Sequence, residues 1–349
     1  MSSRIAAGPR QVGPSLIESE LEKLWIAMPR TGGAAASVSM TMRAVMANLV
    51  AVGGSDQETS AAMEVIGNII GRNPCRVILI TSEPDIDPPE LNAEVAVICQ
   101  ESETCRRCVC CDRIRLAARG IMADNLPSLA ASLLVSDLPM VLWWPKPPFD
   151  RKDFLLFAKQ AERVIVDSAG YTNDDLRALA RFVEQSCQMG VAVSDLNWGR
   201  LTPCRQLFAQ FFDSMECRDH LTMIGEVRVE GDAATSRLLA GWLKAQMDNS
   251  GHSLPHARIH LISTDPAGFS FRSLVMTCSG GGNTFAVTTF AVTRVNDCAL
   301  EARTTLGDQV RSKVIKANCP DVAKMLSDEI AFVGRDAVFE AAIAAGALL

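Results

Sequence analysis

The residues best suited to chemistry form a short cysteine cluster in the first third of the chain. Cys105 and Cys108 are separated by two arginines, and Cys110 and Cys111 follow closely. A Cys-x-x-Cys pair can bind zinc or form a reversible disulfide, and adjacent arginines favour the reactive thiolate. Outside residues 105–111, the chain has no further Cys-x-x-Cys pair that would complete a zinc site. Zinc binding, a redox-responsive pair formed by Cys105 and Cys108, and inert cysteines are three open interpretations. Polar residues before the cluster predict that the pair is exposed to solvent.

Other metal and acid-base chemistry has few candidates, because the chain has only four histidines. His252, His256 and His260 are spaced by four residues, which on one helix would place three metal ligands on the same face. Pro255 interrupts such a helix, and His260 belongs to an apolar run typical of a strand. We therefore predict no metal site, and no catalytic residue is assigned.

Phosphate binding would need a glycine turn between a strand and a helix, where backbone amides can approach the anion. Gly53 and Gly54 lie at one such junction and Gly170 at another, but neither turn has the glycine fingerprint of dinucleotide-binding proteins. Glycine also serves tight turns through its geometry alone. We predict no cofactor, and an enzyme that binds a nucleotide or a sugar phosphate stays an alternative.

Tryptophan and arginine mark two further candidate segments. Trp143 and Trp144 are adjacent at the end of a strand, so their rings point to opposite faces of a sheet. Trp198, Arg200 and Arg205 surround a junction between a loop and a helix. Protein interfaces favour both residue types, but the same side chains also fix loops against a core. Architectural and partner-binding roles are both open, and we expect the second segment to be mainly architectural, with Trp198 buried.

Apolar periodicity predicts the elements that position these residues. Strands and helices alternate in the first part of the chain, which favours α/β layering, and the later part is richer in strands. We predict an α/β fold, α+β in the C-terminal part, built as two layered α/β domains with mixed sheets. The predicted divisions are an N-terminal leader and helix over 1–40, an α/β domain over 41–218 and a strand-rich α+β domain with C-terminal helices over 219–349.

Composition excludes several classes of protein. The chain has 349 residues, 48% hydrophobic and 21% charged, as in ordinary globular proteins. Its 34 basic and 40 acidic residues give a formal charge of −6, which argues against nucleic-acid and membrane partners. The most apolar stretch, 126–145, is broken by prolines and an aspartate, and no signal sequence is evident, so we expect a cytoplasmic protein. There, the 12 cysteines fit free thiols, a metal site or redox control better than a disulfide scaffold.

Three longer strings are more specific than any single residue. They are LLVSDLPMVLWW over 133–144, a strand over 163–170 that ends in Asp-Ser-Ala-Gly, and DLNWGRLTP over 195–203. Together with weaker matches over 76–80 and 238–243, they resemble the OpcA family of glucose-6-phosphate dehydrogenase assembly proteins. The chain departs from the family pattern at Cys204, where tryptophan is expected, and at Asn73, where histidine is common.

The resemblance implies a protein that is not itself an enzyme. Members of this family bind glucose-6-phosphate dehydrogenase, favour its active oligomer and so promote NADPH production in the oxidative pentose phosphate pathway. The expected partner is that dehydrogenase, joined by a thioredoxin-type reductant if Cys105 and Cys108 are redox-active. The alternatives are a sugar-phosphate-binding or nucleotide-binding enzyme and a free-standing thiol sensor.

Overall fold

A computed structural model describes residues 4–28, 41–101, 108–147, 149, 151–252, 254–255, 258–264, 270–279, 287–317 and 321–349. The chain forms two compact units. The first comprises 1–166, 186–193 and 321–334, and the second comprises 167–185, 194–320 and 335–349. The predicted boundary near Asp219 lies within the second of these units and stays a prediction. Two of the five crossings between the units fall inside a helix and inside a strand, where no polar linker marks them in the sequence.

The larger sheet and its helices account for the first part of the chain. Its nine strands are β1 (Arg4–Val12), β2 (Thr41–Arg43), β3 (Ala47–Gly53), β4 (Cys75–Glu83), β5 (Glu90–Glu101), β6 (Cys108–Arg119), β7 (Met140–Trp143), β8 (Arg163–Val166) and β9 (Ala192–Asp195). The helices are α1 (Ile17–Ala27), α2 (Asp56–Gly67), α3 (Leu126–Ser132), α4 (Lys152–Ala158) and α5 (Asn173–Met189). The predicted α/β class is confirmed by this alternation.

The strand order explains where a ligand site would be expected. It is β1-β5-β6-β4-β3-β7-β8-β9, with β2 beside β6. Strands β6, β4, β3, β7 and β8 run parallel, whereas β1 and β5 are antiparallel additions at one edge. From β6 to β9 this is the order 3-2-1-4-5-6 of doubly wound sheets, whose ligands bind outside the carboxyl ends of the strands where the order reverses. That point lies between β3 and β7.

Burial follows directly from this topology. Every residue of β7 and β8 is buried, as are eight of the nine residues of β4, because helices cover both faces of a parallel sheet. Their sequences are therefore continuous apolar runs rather than alternating ones. Among the described residues, no helix is both long enough and apolar enough to cross a membrane.

The N-terminal leader proves to be part of the first unit. Strand β1 pairs with β5, and α1 packs on β5 through Ile17, Leu21 and Leu24, each 1% exposed. The sequence predicted the helix but not the strand, because β1 is an edge strand whose residues are mostly exposed and show no apolar alternation.

A buried charge network holds α1 and β2 to the sheet. Asp112 of β6 is fully buried and accepts hydrogen bonds from Trp25 Nε1 at 2.6 Å, Arg76 Nη2 at 2.8 Å and Arg43 Nη2 at 3.1 Å. Arg76 also donates to Glu18 of α1 at 2.6 Å. Buried charges persist when they are paired and hydrogen-bonded in this way.

The second unit contains a six-stranded sheet. Its strands are β10 (Ile224–Gly231), β11 (Ile259–Ser263), β12 (Phe271–Cys278), β13 (Thr288–Asn296), β14 (Ala299–Leu306) and β15 (Gln309–Lys316), in the order β11-β10-β12-β13-β14-β15. All neighbours are antiparallel except β10 and β11, and buried residues alternate along β12 and β13, so one face forms the core.

The helices of the second unit are α6 (Leu196–Arg200), α7 (Thr202–Gln210), α8 (Met215–Arg218), α9 (Ala233–Asn249) and α11 (Ala337–Gly346). Helix α10 (Val322–Ala331) belongs to the first unit.

Helices α9 and α11 cross with their backbones in contact. A Cβ atom at Gly241 would overlap backbone atoms of Ala342 and Gly346, and one at Gly346 would overlap the backbone of Arg237. Only glycine permits this approach at the two positions.

We expect Gly241→Ala to lower the free energy of unfolding by about 2 kcal/mol or more, because overpacking outweighs the better helix propensity of alanine. Urea unfolding followed by tryptophan fluorescence measures the change. Gly13→Ala is the control, since a Cβ there meets nothing within 4 Å and φ is −68°. An unchanged midpoint for Gly241→Ala would contradict the close crossing.

Candidate functional site

Two of the family-like strings meet in the second unit around a buried carboxylate. Asp195 ends β9 and is 1% exposed. One of its oxygens accepts hydrogen bonds from the backbone N–H groups of Ser168 and Asn197, each at 2.9 Å, and the other accepts from Ser168 Oγ at 2.6 Å. These bonds close the turn after β8 and cap α6. Asp195 thus connects the end of the 163–170 string to the start of the 195–203 string.

Further hydrogen bonds extend this network, some between amide and hydroxyl groups and others between an arginine and a carboxylate. Asn197 Nδ2 donates to Ser168 Oγ at 3.1 Å, and Thr235 Oγ1 of α9 donates to Asn197 Oδ1 at 3.3 Å. Arg200 donates to both carboxylate oxygens of Asp167, at 2.5 and 2.7 Å. This bidentate geometry is the strong form of an arginine–carboxylate pair. The hydroxyl, amide and carboxylate groups of the two strings are therefore engaged with one another.

Burial dominates the electrostatics of this cluster. It raises the pKa of Asp195 to about 7, although the hydrogen bond from Ser168 acts in the opposite direction. The negative charge of Asp167 adds to the rise. A buried carboxyl with such a pKa is often catalytic, but structural networks perturb carboxyl groups in the same way.

The tryptophan of the third string lies within the same unit. Trp198 is 5% exposed and its Nε1 donates to Asp336 Oδ2 at 2.9 Å. The guanidinium of Arg205 lies 3.4 Å from the centre of the indole ring and also donates to the carbonyl of Trp198 and to Thr202 Oγ1. Burial lowers the pKa of Arg205 to about 10. These contacts are those that the architectural interpretation predicts, and partner binding by Trp198, Arg200 and Arg205 stays a prediction.

The glycine turn at Gly170 is closed by acidic residues of its own helix. Gly170 has φ +80°, a conformation that favours glycine. At the following helix, α5, the backbone N–H of Asp175 donates to Thr172 Oγ1, and Asp175 Oδ2 accepts from the N–H and hydroxyl of Thr172 at 3.1 and 2.6 Å. This reciprocal pattern is a capping box. A carboxylate thus occupies the helix end that a phosphate would need.

The turn at Gly53 and Gly54 repeats this arrangement at the switch point of the sheet. Ser55 Oγ accepts from the N–H of Glu58 at 3.3 Å, and Glu58 Oε2 accepts from the N–H of Gly54 at 2.8 Å. Lys146, which follows β7, donates to Glu58 Oε1 at 2.6 Å. The Glu58 carboxylate therefore holds an amide and a cation that would otherwise be available to a bound anion. The spacing Ser55-x-x-Glu58 is visible in the sequence and predicts this cap.

The tryptophan pair at the end of β7 is buried on both faces of the sheet. Trp143 is 5% exposed and Trp144 is 6% exposed. Trp144 packs against Phe154 and Phe157 of α4, with ring centroids 5.1 and 6.3 Å apart. The indole N–H of Trp143 has no hydrogen-bond partner among the described residues. Both rings are thus core groups of the first unit, and a partner-binding role for them stays a prediction.

The cysteine cluster differs from the expectation in two respects. Cys105 lies outside the described residues, and Cys108 is 4% exposed, so the predicted solvent accessibility is wrong for Cys108. Cys108 is the first residue of β6, which pairs on one side with β5 and on the other with β2, and this pairing buries it. Its redox role stays a prediction.

The predicted cysteine cluster did not include a fifth cysteine, Cys99. This residue lies directly opposite Cys110 on the neighbouring strand. The two form a disulfide, and the sulfur atoms of Cys99, Cys108 and Cys110 all lie within 4.8 Å of one another. Only the register of β5 against β6, which the sequence pattern does not specify, brings Cys99 to this place.

Stability of the second unit should depend on pH through Asp195. The pKa of Asp195 is raised from the ordinary value of 3.8 to about 7 in the folded chain, so the folded state holds this proton more tightly than the unfolded state does. The contribution of protonated Asp195 to the free energy of unfolding is therefore complete below pH 4 and is lost as the pH rises through 7. The resulting change in the free energy of unfolding is about 4 kcal/mol. Asp195→Asn keeps an acceptor for the two backbone N–H groups and should remove most of this slope.

Urea unfolding between pH 4 and 8 measures that slope. Asp174→Asn is the control, because the Asp174 side chain is 90% exposed and belongs to the same unit. The same pH dependence in wild type and Asp195→Asn would show that Asp195 is not the titrating group.

Two family models match this chain. The one that describes the N-terminal domain of a glucose-6-phosphate dehydrogenase subunit matches residues 67–184, and the one that describes the C-terminal domain of that subunit matches residues 191–343. All three family-like strings lie inside these ranges.

Similar proteins of known sequence include the OxPP cycle protein OpcA of Nostoc punctiforme, 29% identical over 220 residues, and that of Synechocystis sp., 27% identical over 192 residues. The alignments cover 59% and 52% of this chain, but only 46% and 39% of the relatives. The chain thus spans less than half the length of the curated relatives it matches.

Solved structures with a similar arrangement include glucose-6-phosphate 1-dehydrogenase from Mycobacterium avium, with a TM-score of 0.46 and 10% identity over 85% of this chain and 90% of that one. The 3-ketoreductase KijD10 from Actinomadura kijaniata has a TM-score of 0.44 and 9% identity, over 86% and 94% of the two chains.

Proposed function

Since the chain belongs to the OpcA family of glucose-6-phosphate dehydrogenase assembly proteins, we propose that it binds that dehydrogenase and catalyses no reaction of its own. In this proposal, binding favours the active oligomer of the enzyme and so promotes NADPH production in the oxidative pentose phosphate pathway. The relatives are named for the oxidative pentose phosphate cycle, which is consistent with this role.

The observation that carries the non-catalytic half of the proposal is the position of Glu58. In a doubly wound sheet, the helix that follows the first parallel strand offers its N-terminal amides to a phosphate. Here α2 is that helix, and its end is occupied by the Glu58 carboxylate, which is also paired with Lys146. A further acid, Asp56, stands in the first turn and repels anions.

The buried polar network supports the same conclusion from the family-like strings themselves. A catalytic constellation presents its nucleophile or base to a substrate, whereas Ser168, Asp195 and Asn197 are directed at one another and are at most 1% exposed. These residues stabilise a scaffold. A regulator needs such a scaffold because its function depends on a surface of fixed shape.

A binding protein can activate an enzyme without touching its substrate. If the active conformer binds this chain more tightly than the inactive one, the population shifts toward the active form. A preference of about 1.4 kcal/mol changes the ratio of the two forms tenfold. Activation of this kind is limited by the difference between the two affinities, so tight binding alone does not produce it.

We expect the purified chain to be captured by its cognate dehydrogenase and to raise the rate of NADPH formation at limiting glucose 6-phosphate. The measurement is a pull-down followed by initial rates with and without the chain, together with the mass of the complex in solution. Cys105→Ser/Cys108→Ser should retain activation, which separates the assembly role from a thiol sensor that acts with a thioredoxin-type reductant. Absence of a complex, or a complex with unchanged kinetics and oligomeric state, would overturn the proposal.

The alternative of a nucleotide-binding enzyme is favoured by one observation, the strand order from β6 to β9. Fold alone does not determine function, so the test is direct. We expect no saturable binding of NADP⁺ and no hydride transfer by the chain alone, because Glu58 holds the Gly54 amide. Calorimetry and absorbance at 340 nm measure both. Saturable NADP⁺ binding that Lys146→Ala abolishes would favour the enzyme.

A further inference from the structure

The most concentrated group of metal-ligating side chains in the described part of the chain is the set Cys99, Cys108 and Cys110. Cys108 and Cys110 are two residues apart on β6, so their side chains leave the same face of the sheet. Cys99 is the direct cross-strand neighbour of Cys110 on β5 and shares that face. Strand register therefore brings three sulfurs together, and each residue is at most 4% exposed.

We propose that the reduced chain binds one thiophilic d10 cation, Zn²⁺ or Cu⁺, through the thiolates of Cys99, Cys108 and Cys110. A disulfide needs only two sulfurs, and the third, on Cys108, is also within 4.8 Å of the others. Thiolates bound at about 2.3 Å to one metal ion lie roughly 4 Å apart, so small rotations of χ1 convert the cluster into a coordination site. Soft thiolate donors select these cations over Mg²⁺ and Ca²⁺.

Binding of the metal ion to the reduced chain involves no electron transfer. Three thiols lose their protons to solvent, and three metal–sulfur bonds form. The Cys99–Cys110 disulfide removes two of the three ligands, so it has to be reduced first. A phosphine supplies the two electrons and becomes the phosphine oxide, and water provides the oxide oxygen and the two thiol protons. The oxidised and metal-bound forms of the cluster are thus mutually exclusive.

Cys75 and Cys111 provide an internal comparison. Cys111 follows Cys110 on β6 and therefore points to the opposite face, where it interacts with Cys75. This pair offers two sulfurs rather than three, so it should bind the same cations more weakly.

The test uses the full chain, reduced with a phosphine, desalted without oxygen and titrated with Zn²⁺, Cd²⁺ or Cu⁺ against a chromophoric chelator. We expect one ion per chain and a cadmium–thiolate absorption band. Cys108→Ser leaves the disulfide pair intact and should weaken binding more than about 100-fold, since even second-shell changes cost 10–100-fold. Cys111→Ser and the exposed Cys187→Ser are controls that should bind as the wild type does.

Two further measurements on the wild-type chain test the proposal even if Cys108→Ser does not fold. X-ray absorption of the wild-type complex should count three sulfur neighbours, and oxidation to the Cys99–Cys110 disulfide should release the ion. Fewer than three sulfurs, equal binding by reduced and oxidised chains, or loss of binding in Cys111→Ser but not in Cys108→Ser would overturn the proposal.

Discussion

A carboxylate that leaves water needs hydrogen-bond donors, and both units of this protein contain carboxylates that are almost completely buried. Asp112 in the first unit is stabilised by arginines and an indole N–H, which tie α1 and β2 to the sheet. Asp195 in the second unit depends instead on two backbone N–H groups and a hydroxyl, with no cation among its partners in the described part of the chain. Burial outweighs these hydrogen bonds and raises the pKa of Asp195 to about 7. In both units at least one donor comes from a segment distant in sequence, Arg76 for Asp112 and Ser168 for Asp195, so each carboxylate connects separate segments of its unit.

The same use of internal acids recurs at the helix ends. Glu58 at α2 and Asp175 at α5 accept the backbone N–H groups that a phosphate-binding protein leaves for its ligand. The consequence is electrostatic as well as steric, because each carboxylate cancels the positive end of its helix dipole. In a sheet with the strand order of dinucleotide-binding proteins, both of these helix ends therefore carry a carboxylate of the chain itself.

Sequence patterns predicted the elements well and their association poorly. The alternation of strands and helices and the helix within residues 1–40 are predicted, because apolar stripes mark helices and apolar runs mark buried strands. Strand β1 is not predicted because an exposed edge strand lacks that signal, and two of the five crossings between the units fall inside α5 and β9, where no linker marks them. Each family-like string is recognisable in the sequence on its own, but the hydrogen bond between Ser168 and Asp195 forms only through tertiary contact. No local pattern specifies which buried donor meets which buried acceptor.

The position of Cys99 beside Cys110 likewise depends on strand register, which no local sequence pattern specifies. The cysteine cluster also lies next to the buried Asp112 network of the first unit. Cys108, Cys110 and Asp112 alternate along one face of β6, so the sulfurs and the charge network share a strand. Cys110 pairs with Arg43 of β2, and Arg43 in turn donates to Asp112. The proposed change of the cysteines from a disulfide to metal ligands therefore takes place, at Cys108 and Cys110, within four residues of Asp112, on the strand that anchors α1 to the sheet.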